Sequence, residues 1–248
     1  MKTRFLIILL FSSAGMYGQK YDSSKFSFIN FYITAQTAIP EKEFREAIHN
    51  DFGNLGYGIS TGIVLSPLLE HKPSPVLLGL DFGYFTYGQE KQKATSVAPP
   101  LKTTYNVFTW NAIGRLRPKF ERGQITPFVD GLLGLKLYNT KTKIDKNLVD
   151  FIFNDDQREV INNVKDTGLN YGLGAGFYTN PKNKNNAGFT LRVLYLWGDE
   201  VSYVVRNSVK VDANGFITFD SGRANTSMII IQLGISASAL KTLVTVAD

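Results

Sequence analysis

Eight segments of the chain alternate apolar and polar residues, a period of two that is typical of β-strands. In the first segment, Ile29, Phe31 and Ile33 share one face, and polar residues stand between them. None of the eight apolar faces carries a charge, and the opposite faces consist mainly of Gly, Ser, Thr, Asn and Gln. A soluble sandwich would place Lys and Glu freely on its solvent face. The pattern therefore favours a barrel with an apolar outside and a polar inside.

The connections between these segments alternate in length. Three are short and contain Pro, Gly or Asn turn residues: 66–74, 118–124 and 180–186. Four are long: 40–54, 88–102, 139–166 and 198–223. This rhythm predicts an all-β fold, an eight-stranded antiparallel up-and-down transmembrane β-barrel with short periplasmic turns and long extracellular loops. An even strand number lets the sheet close without unpaired backbone facing lipid.

Two of the long loops carry patterns of their own. Residues 144–164 have partly helical apolar spacing, which predicts a short helix over the barrel mouth. Residues 201–220 place Asn214–Gly215 between two β-rich runs, a hairpin signal. This hairpin either extends the last two strands beyond the membrane or adds two strands to make ten. We favour extension, because Val201–Lys210 has no clean lipid-facing side.

The N-terminus has the features of an export signal. Basic Lys2 and Arg4 precede an apolar run, Phe5–Phe11, and small residues follow. Cleavage is predicted between Gly18 and Gln19, which divides the chain into a signal peptide, 1–18, and a barrel domain, 19–248. No later run approaches the roughly 20 apolar residues that a transmembrane helix needs. The predicted location is the outer membrane of a Gram-negative cell.

Composition narrows the chemistry. The 248 residues include no Cys and two His, and the formal net charge is +6. The lack of Cys excludes disulfides, cysteine metal sites and thiol catalysis. Lys and Arg are scattered without forming a basic face, which argues against nucleic acid binding. No phosphate loop or metal-ligand spacing is present, so neither a cofactor nor a metal is predicted.

Histidine offers one weak enzymatic alternative. His49 in the first long loop lies near Glu46 and Asp51, the minimum for a general base with an orienting carboxylate. The other histidine, His71, falls in a periplasmic turn. Because no serine nucleophile motif accompanies His49, we predict no catalytic residues and no enzyme.

The polar strand faces predict the residues of the lumen. They include Asp81, Asn111, Arg115, Asp130, Lys136, Arg192 and Gln232. Arg115 lies on the strand between those of Asp81 and Asp130, which predicts a carboxylate–guanidinium–carboxylate cluster. Its structural interpretation is a salt-bridged plug, and its functional alternative is a gate on a narrow path. Lys136, near the outer mouth, is expected to be a solvated end.

Aromatic residues near the strand ends predict membrane-interface girdles. They are Tyr57, Tyr84, Phe108, Trp110, Phe177, Phe189 and Trp197. Aromatic residues are enriched in strands generally, so this signal supports the barrel without deciding it.

The segment 125–138 (ITPFVDGLLGLKLY) and the Gly-rich run 171–181 (YGLGAGFYTNP) resemble small outer-membrane barrels of the OmpA, OmpX, OmpW and PorT type. With the Gly–Gln pair at the predicted cleavage site, they are similar to Bacteroidota members of that group. The resemblance implies a fold and a location, and no particular activity. The last strand departs from the group, because 232–239 (QLGISASA) lacks the closing aromatic.

Two uses of such a barrel follow. The first is a non-enzymatic structural or surface-interaction role through the extracellular loops, including a place in an envelope or secretion assembly. The alternative is a narrow porin-like conduit for small or hydrophobic solutes. The expected partners are outer-membrane lipid or lipopolysaccharide and an envelope protein bound through loops 139–166 and 198–223. A monomer that binds no nucleic acid is expected.

Overall fold

The computed structural model describes residues 24–47, 55–68, 72–92, 100–119, 125–144, 160–179, 187–205, 208–211 and 217–243. The elements in these ranges are β1 Ser24–Pro40, α1 Lys42–Ala47, β2 Gly56–Leu65, β3 Val76–Gln92, β4 Leu101–Leu116, β5 Ile125–Ile144, β6 Val160–Thr179, β7 Ala187–Gly198, β8 Glu200–Val204, β9 Lys210–Val211, β10 Ile217–Thr218, β11 Ser221–Asn225 and β12 Met228–Leu243. The predicted export signal, His49, Asp51 and His71 lie outside the described residues.

Strands β1 to β7 and β12 form a closed barrel in which every strand is antiparallel to its neighbours, and β1 pairs with both β2 and β12. The predicted eight-stranded up-and-down barrel is confirmed. The hairpin of the last long loop forms two separate sheets, β8 with β11 and β9 with β10. It adds no strand to the barrel and continues outward from β7 and β12, as the extension hypothesis predicts.

Burial is inverted relative to a soluble protein. On the outside, Leu133 is 64% exposed and Ile235 62% exposed, whereas Asp130 and Lys136 inside are 0% exposed. The outward row of β2 runs from Leu65 to Tyr57. Eight residue steps span about 27 Å along the strand, or about 20 Å along the barrel axis at ~40° tilt. An apolar band of this height is the outer surface of a transmembrane barrel.

Four strands run further outward than the apolar pattern predicted. β3 continues to Gln92 and β4 begins at Leu101, while β5 continues to Ile144 and β6 begins at Val160. Polar residues maintain the ladder here, because a strand above the lipid needs no apolar outer face. The prediction of a helix over 144–164 is wrong at both ends of that segment, because Ile144 and residues 160–164 are β-strand. Residues 145–159 lie outside the described residues.

The first long loop contains the short helix α1. Its entry is fixed from two sides, since Glu41 N–H donates to the Ser227 carbonyl oxygen at 3.0 Å and Tyr195 Oη donates to Glu41 Oε2 at 2.6 Å. Phe44, on this helix, is 2% exposed and belongs to the barrel's main apolar cluster. Among the described residues, no helix is long and apolar enough to cross a membrane.

Candidate functional site

Four buried charges form a chain across the lumen. Arg115 binds Asp130 through two parallel contacts, Nε to Oδ1 at 2.7 Å and Nη2 to Oδ2 at 2.9 Å. Arg192 Nε lies 2.7 Å from Asp130 Oδ2, and Arg192 Nη1 donates to Asp81 Oδ2 at 2.9 Å. The order Asp81–Arg192–Asp130–Arg115 alternates in sign and sums to zero. Each member is at most 2% exposed, so these ion pairs lie away from solvent.

The sequence placed Arg115 between the two carboxylates, whereas the structure places Arg192 there. Arg115 stands opposite Asp130 on β5 and opposite Leu77 on β3. Asp81 is four residues further along β3, about 13 Å away. Arg192 reaches Asp81 across the lumen instead, from β7. The stagger of the strands, which the sequence does not reveal, decides which guanidinium occupies the centre.

Neutral side chains complete this network. Arg192 Nη1 also donates to Tyr32 Oη at 3.0 Å, and Tyr32 Oη donates to Asp81 Oδ2 at 2.6 Å. Gln232 accepts from Arg192 Nη1 at 3.2 Å and donates to Ser60 Oγ at 3.0 Å. Every strand of the barrel contributes at least one polar side chain, from Tyr32, Gln36, Ser60, Asp81, Asn111, Arg115, Asp130, Asn170, Arg192 and Gln232.

The network also has stacking contacts and one poorly aligned contact. The Arg115 guanidinium lies 3.7 Å from the centre of the Phe128 ring and 5.4 Å from that of Tyr32, in the range of cation–π interactions. The Arg192 Nε–H is not directed at Asp130, so the 2.7 Å contact is an ion pair without a hydrogen bond. The network is therefore held by charge and packing together.

Lys136 is buried rather than solvated, which corrects the sequence-based expectation. It is 0% exposed, and its Nζ donates to the Thr226 carbonyl oxygen at 2.8 Å. In the part of the chain that the structure describes, no carboxylate forms an ion pair with it. Thr226 Oγ1 in turn donates to the Asp199 carbonyl oxygen at 2.8 Å. Lys136 therefore contacts, from inside, the junction between the outer hairpin and β12, and Thr226 links that junction to the one with β7.

An aromatic cap covers the outer mouth above the network. The Phe44 ring meets Tyr87 and Tyr138 edge-on, with centroid distances of 5.5 and 5.3 Å. A cavity of about 20 Å³ beside these rings has room for about one water molecule. The sequence pattern did not predict this cap. The available signal was Phe44 itself, an apolar residue between charged neighbours in the segment EKEFRE.

The outer hairpin packs beside this cap. Val201 and Val204 of β8 are each 1% exposed, and Val204 clusters with Leu101 at the outer end of β4. The Ser202 N–H donates to Asp166 Oδ2 at 2.6 Å. This donation, with a second from the Thr167 N–H, holds the pKa of the Asp166 carboxyl below its usual value. The hairpin is thus attached to β6 beyond the apolar band.

All seven predicted interface aromatics stand on the outside of the barrel. Tyr57, Trp110, Phe189 and Trp197 are exposed, and Tyr84, Phe108 and Phe177 are partly exposed. Their heights differ: Phe177 and Phe189 pair near the inner end with a centroid distance of 6.4 Å, whereas Tyr84 and Phe108 pair near the outer end at 5.0 Å. Trp110 lies two residues inward of Phe108, within the apolar band.

Solved structures with a similar fold include three outer-membrane proteins. Neisserial surface protein A is 10% identical, with 85% of this chain and 97% of that chain covered and a TM-score of 0.46. The attachment invasion locus protein Ail of Yersinia pestis is 13% identical, with coverages of 86% and 99% and a TM-score of 0.43. A major outer membrane protein from Thermus thermophilus is 11% identical, with coverages of 85% and 99% and a TM-score of 0.47.

No protein-family model and no curated protein matches the sequence. The identities to these three solved structures are 10–13%, so the likeness shows the fold alone.

Proposed function

We propose that this chain is an integral outer-membrane barrel with a closed lumen, and that it serves a structural or surface-interaction role through its outer end rather than an enzymatic one. The observation that carries the proposal is the chain of four buried charges across the lumen, to which all eight barrel strands add polar partners. A conduit needs a continuous wet path, and these side chains occupy it.

Opening the lumen would require separation of buried ion pairs. Leaving one buried charge unpaired costs about 3–5 kcal/mol. At about 3 kcal/mol the open form makes up about 0.6% of the population. The aromatic cap of Phe44, Tyr87 and Tyr138 is a second layer that such a path would have to cross. Both layers favour a barrel that does not conduct at rest.

The outer end offers the surfaces for interaction. β3, β4, β5 and β6 project beyond the apolar band, and the hairpin of β8 and β11 packs beside them. These elements include parts of 139–166 and 198–223, the two segments through which we propose that an envelope partner binds. The role is proposed for a monomer with no cofactor.

Planar-bilayer recording of the purified full chain tests the closed lumen. We expect no steady single-channel steps for the wild-type protein, and none for Phe44→Ala, because the charged network remains below the cap. Steady unitary steps from the wild-type protein would favour the porin-like conduit and overturn the closed-lumen proposal. Fractionation of inner and outer membranes from producing cells tests the location.

A further inference from the structure

A group of lysines lies on the outside of the barrel, directly beyond its apolar band. We call it the lysine patch, and its members are Lys91 of β3, Lys102 of β4, Lys141 and Lys143 of β5 and Lys165 of β6. These are four consecutive strands. Lys102 stands directly opposite both Lys91 and Lys143 in the ladder, so the three side chains share one face.

The heights of the patch follow from the register. The Phe108–Leu137 pair marks the outer edge of the apolar band, and Lys165 pairs with Asn139, two residues further out. Each such step advances about 6.7 Å along a strand, or about 5 Å along the axis at ~40° tilt. Lys165, Lys141 and Lys102 therefore lie about 5, 10 and 15 Å beyond the band. The polar headgroup layer of a leaflet is roughly 5–8 Å deep, so Lys165 lies within it. Lys141 and Lys102 stand above it, and their long side chains can extend back towards it.

The charges of the patch are of one sign. Lys141 stands two positions along β5 from the cross-strand partners of both Lys102 and Lys165, so the three residues are diagonal neighbours, each roughly 7–8 Å from the next. An anionic partner would offset the repulsion between these like charges. On these outer strand ends, the outward positions that the structure describes carry no carboxylate, and neighbours such as Asn139 and Asn163 are neutral. Lys91 and Lys143 have further contacts, so Lys102, Lys141 and Lys165 are the members proposed to bind the anion.

We propose that the lysine patch binds the phosphate groups of an anionic lipid of the outer leaflet. Ammonium groups form charge-assisted hydrogen bonds with phosphate oxygens, and basic residues next to a membrane add about 1 kcal/mol each to binding of an anionic surface. The Tyr84–Phe108 pair lies directly below on the same strands, where aromatic rings meet the headgroup level. The inference rests on the proposed outer-membrane insertion, which orients the patch towards that leaflet.

The test compares three full-length proteins in phosphatidylcholine bilayer discs that contain rising fractions of diphosphoryl lipid A. They are the wild type, the patch variant Lys102→Gln/Lys141→Gln/Lys165→Gln, and a control, Lys72→Gln/Lys182→Gln/Lys184→Gln. The control removes the same charge from connections on the opposite side, between β2 and β3 and between β6 and β7. Mass spectrometry counts the lipid A molecules that stay bound after exchange into detergent.

We expect the patch variant to need at least a tenfold higher lipid A fraction for equal retention, and the control to behave like the wild type. Equal retention by patch variant and wild type would overturn the proposal. Full displacement of lipid A by soluble polyphosphate at equal phosphate concentration would also overturn it, in favour of a soluble polyanion. If none of the three proteins enters the discs, the proposal of an integral outer-membrane barrel is contradicted. If all three insert normally and retain lipid A equally, only the proposal that the lysine patch binds lipid is contradicted.

Discussion

Replacing Arg192 with Met tests whether the charged chain holds the barrel together. The substitution removes the guanidinium between Asp81 and Asp130 and keeps a shorter, unbranched apolar side chain in its place. Asp130 retains its two contacts with Arg115. Asp81 retains the hydroxyl of Tyr32 at 2.6 Å and loses the cation with which it pairs. One buried carboxylate is therefore left without a counter-charge.

The expected cost is about 3–5 kcal/mol, the range found when one partner of a buried pair is removed. With an m-value of ~2 kcal/mol per M of urea, the unfolding midpoint would fall by about 2 M. The double variant Arg192→Met/Asp81→Asn should recover at least ~1.5 kcal/mol of this loss, because neighbouring charges couple energetically. The amide oxygen introduced by Asp81→Asn would still accept the Tyr32 hydrogen bond.

The assay is urea unfolding in phospholipid vesicles, followed by the fluorescence of Trp110 and Trp197, which lie on the lipid-facing side. The control is Arg223→Met at an exposed position of β11, where a change within about 0.5 kcal/mol is expected. If Arg192→Met unfolds at the same urea concentration as the control, the network does not stabilise the fold. Equal instability of the double and single variants would refute the pairing with Asp81.

Three further outcomes are expected. Lys136→Met should raise the free energy of unfolding by about 1 kcal/mol or more. The reason is that it removes a buried ammonium group with which no carboxylate forms an ion pair among the described residues. A lower urea midpoint than that of the wild type would contradict this. Phe44→Ala should lower the unfolding free energy by about 3 kcal/mol through the cavity it leaves, measured as a lower urea midpoint. Hydrogen exchange should show the Ser202 amide protected at neutral pH and less protected below about pH 4. The pKa of Asp166 is lower in the folded than in the unfolded state, so its contact with Ser202 stabilises the folded hairpin at pH values above the unfolded-state pKa. This stabilisation is lost as the pH falls through the folded-state pKa. Asp166→Asn should therefore remove the pH dependence of the exchange.

The barrel could be predicted because strand parity assigns every side chain to one of two faces. Asp81, Asp130 and Arg192 all share the polar parity of their strands, and all three are buried inside. This parity does not show how far along the barrel axis each side chain lies. Which charges meet depends on the stagger of strands distant in sequence, and the 111 positions that separate Asp81 from Arg192 carry no local signal of their contact.

The outer end was harder to predict for two physical reasons. Above the lipid, strands no longer need an apolar face, so the alternation that reveals β5 fades before Ile144. The six residues of α1 are too few to form a stable helix alone, and packing of Phe44 in the barrel supports them. Lys136 shows the same dependence, because the carbonyl that binds it belongs to Thr226, 90 residues later.

The lumen is closed by two layers that depend on different forces. The lower layer is held by ion pairs among Asp81, Arg192, Asp130 and Arg115, and the upper layer by packing of Phe44 against Tyr87 and Tyr138. Loss of one charged partner would weaken the first layer and leave the second, whereas loss of Phe44 would do the reverse. Because a single perturbation leaves one layer intact, the interior is poorly suited to a gate. Selection for a function would then act on the outer end, where the lysine patch and the hairpin lie.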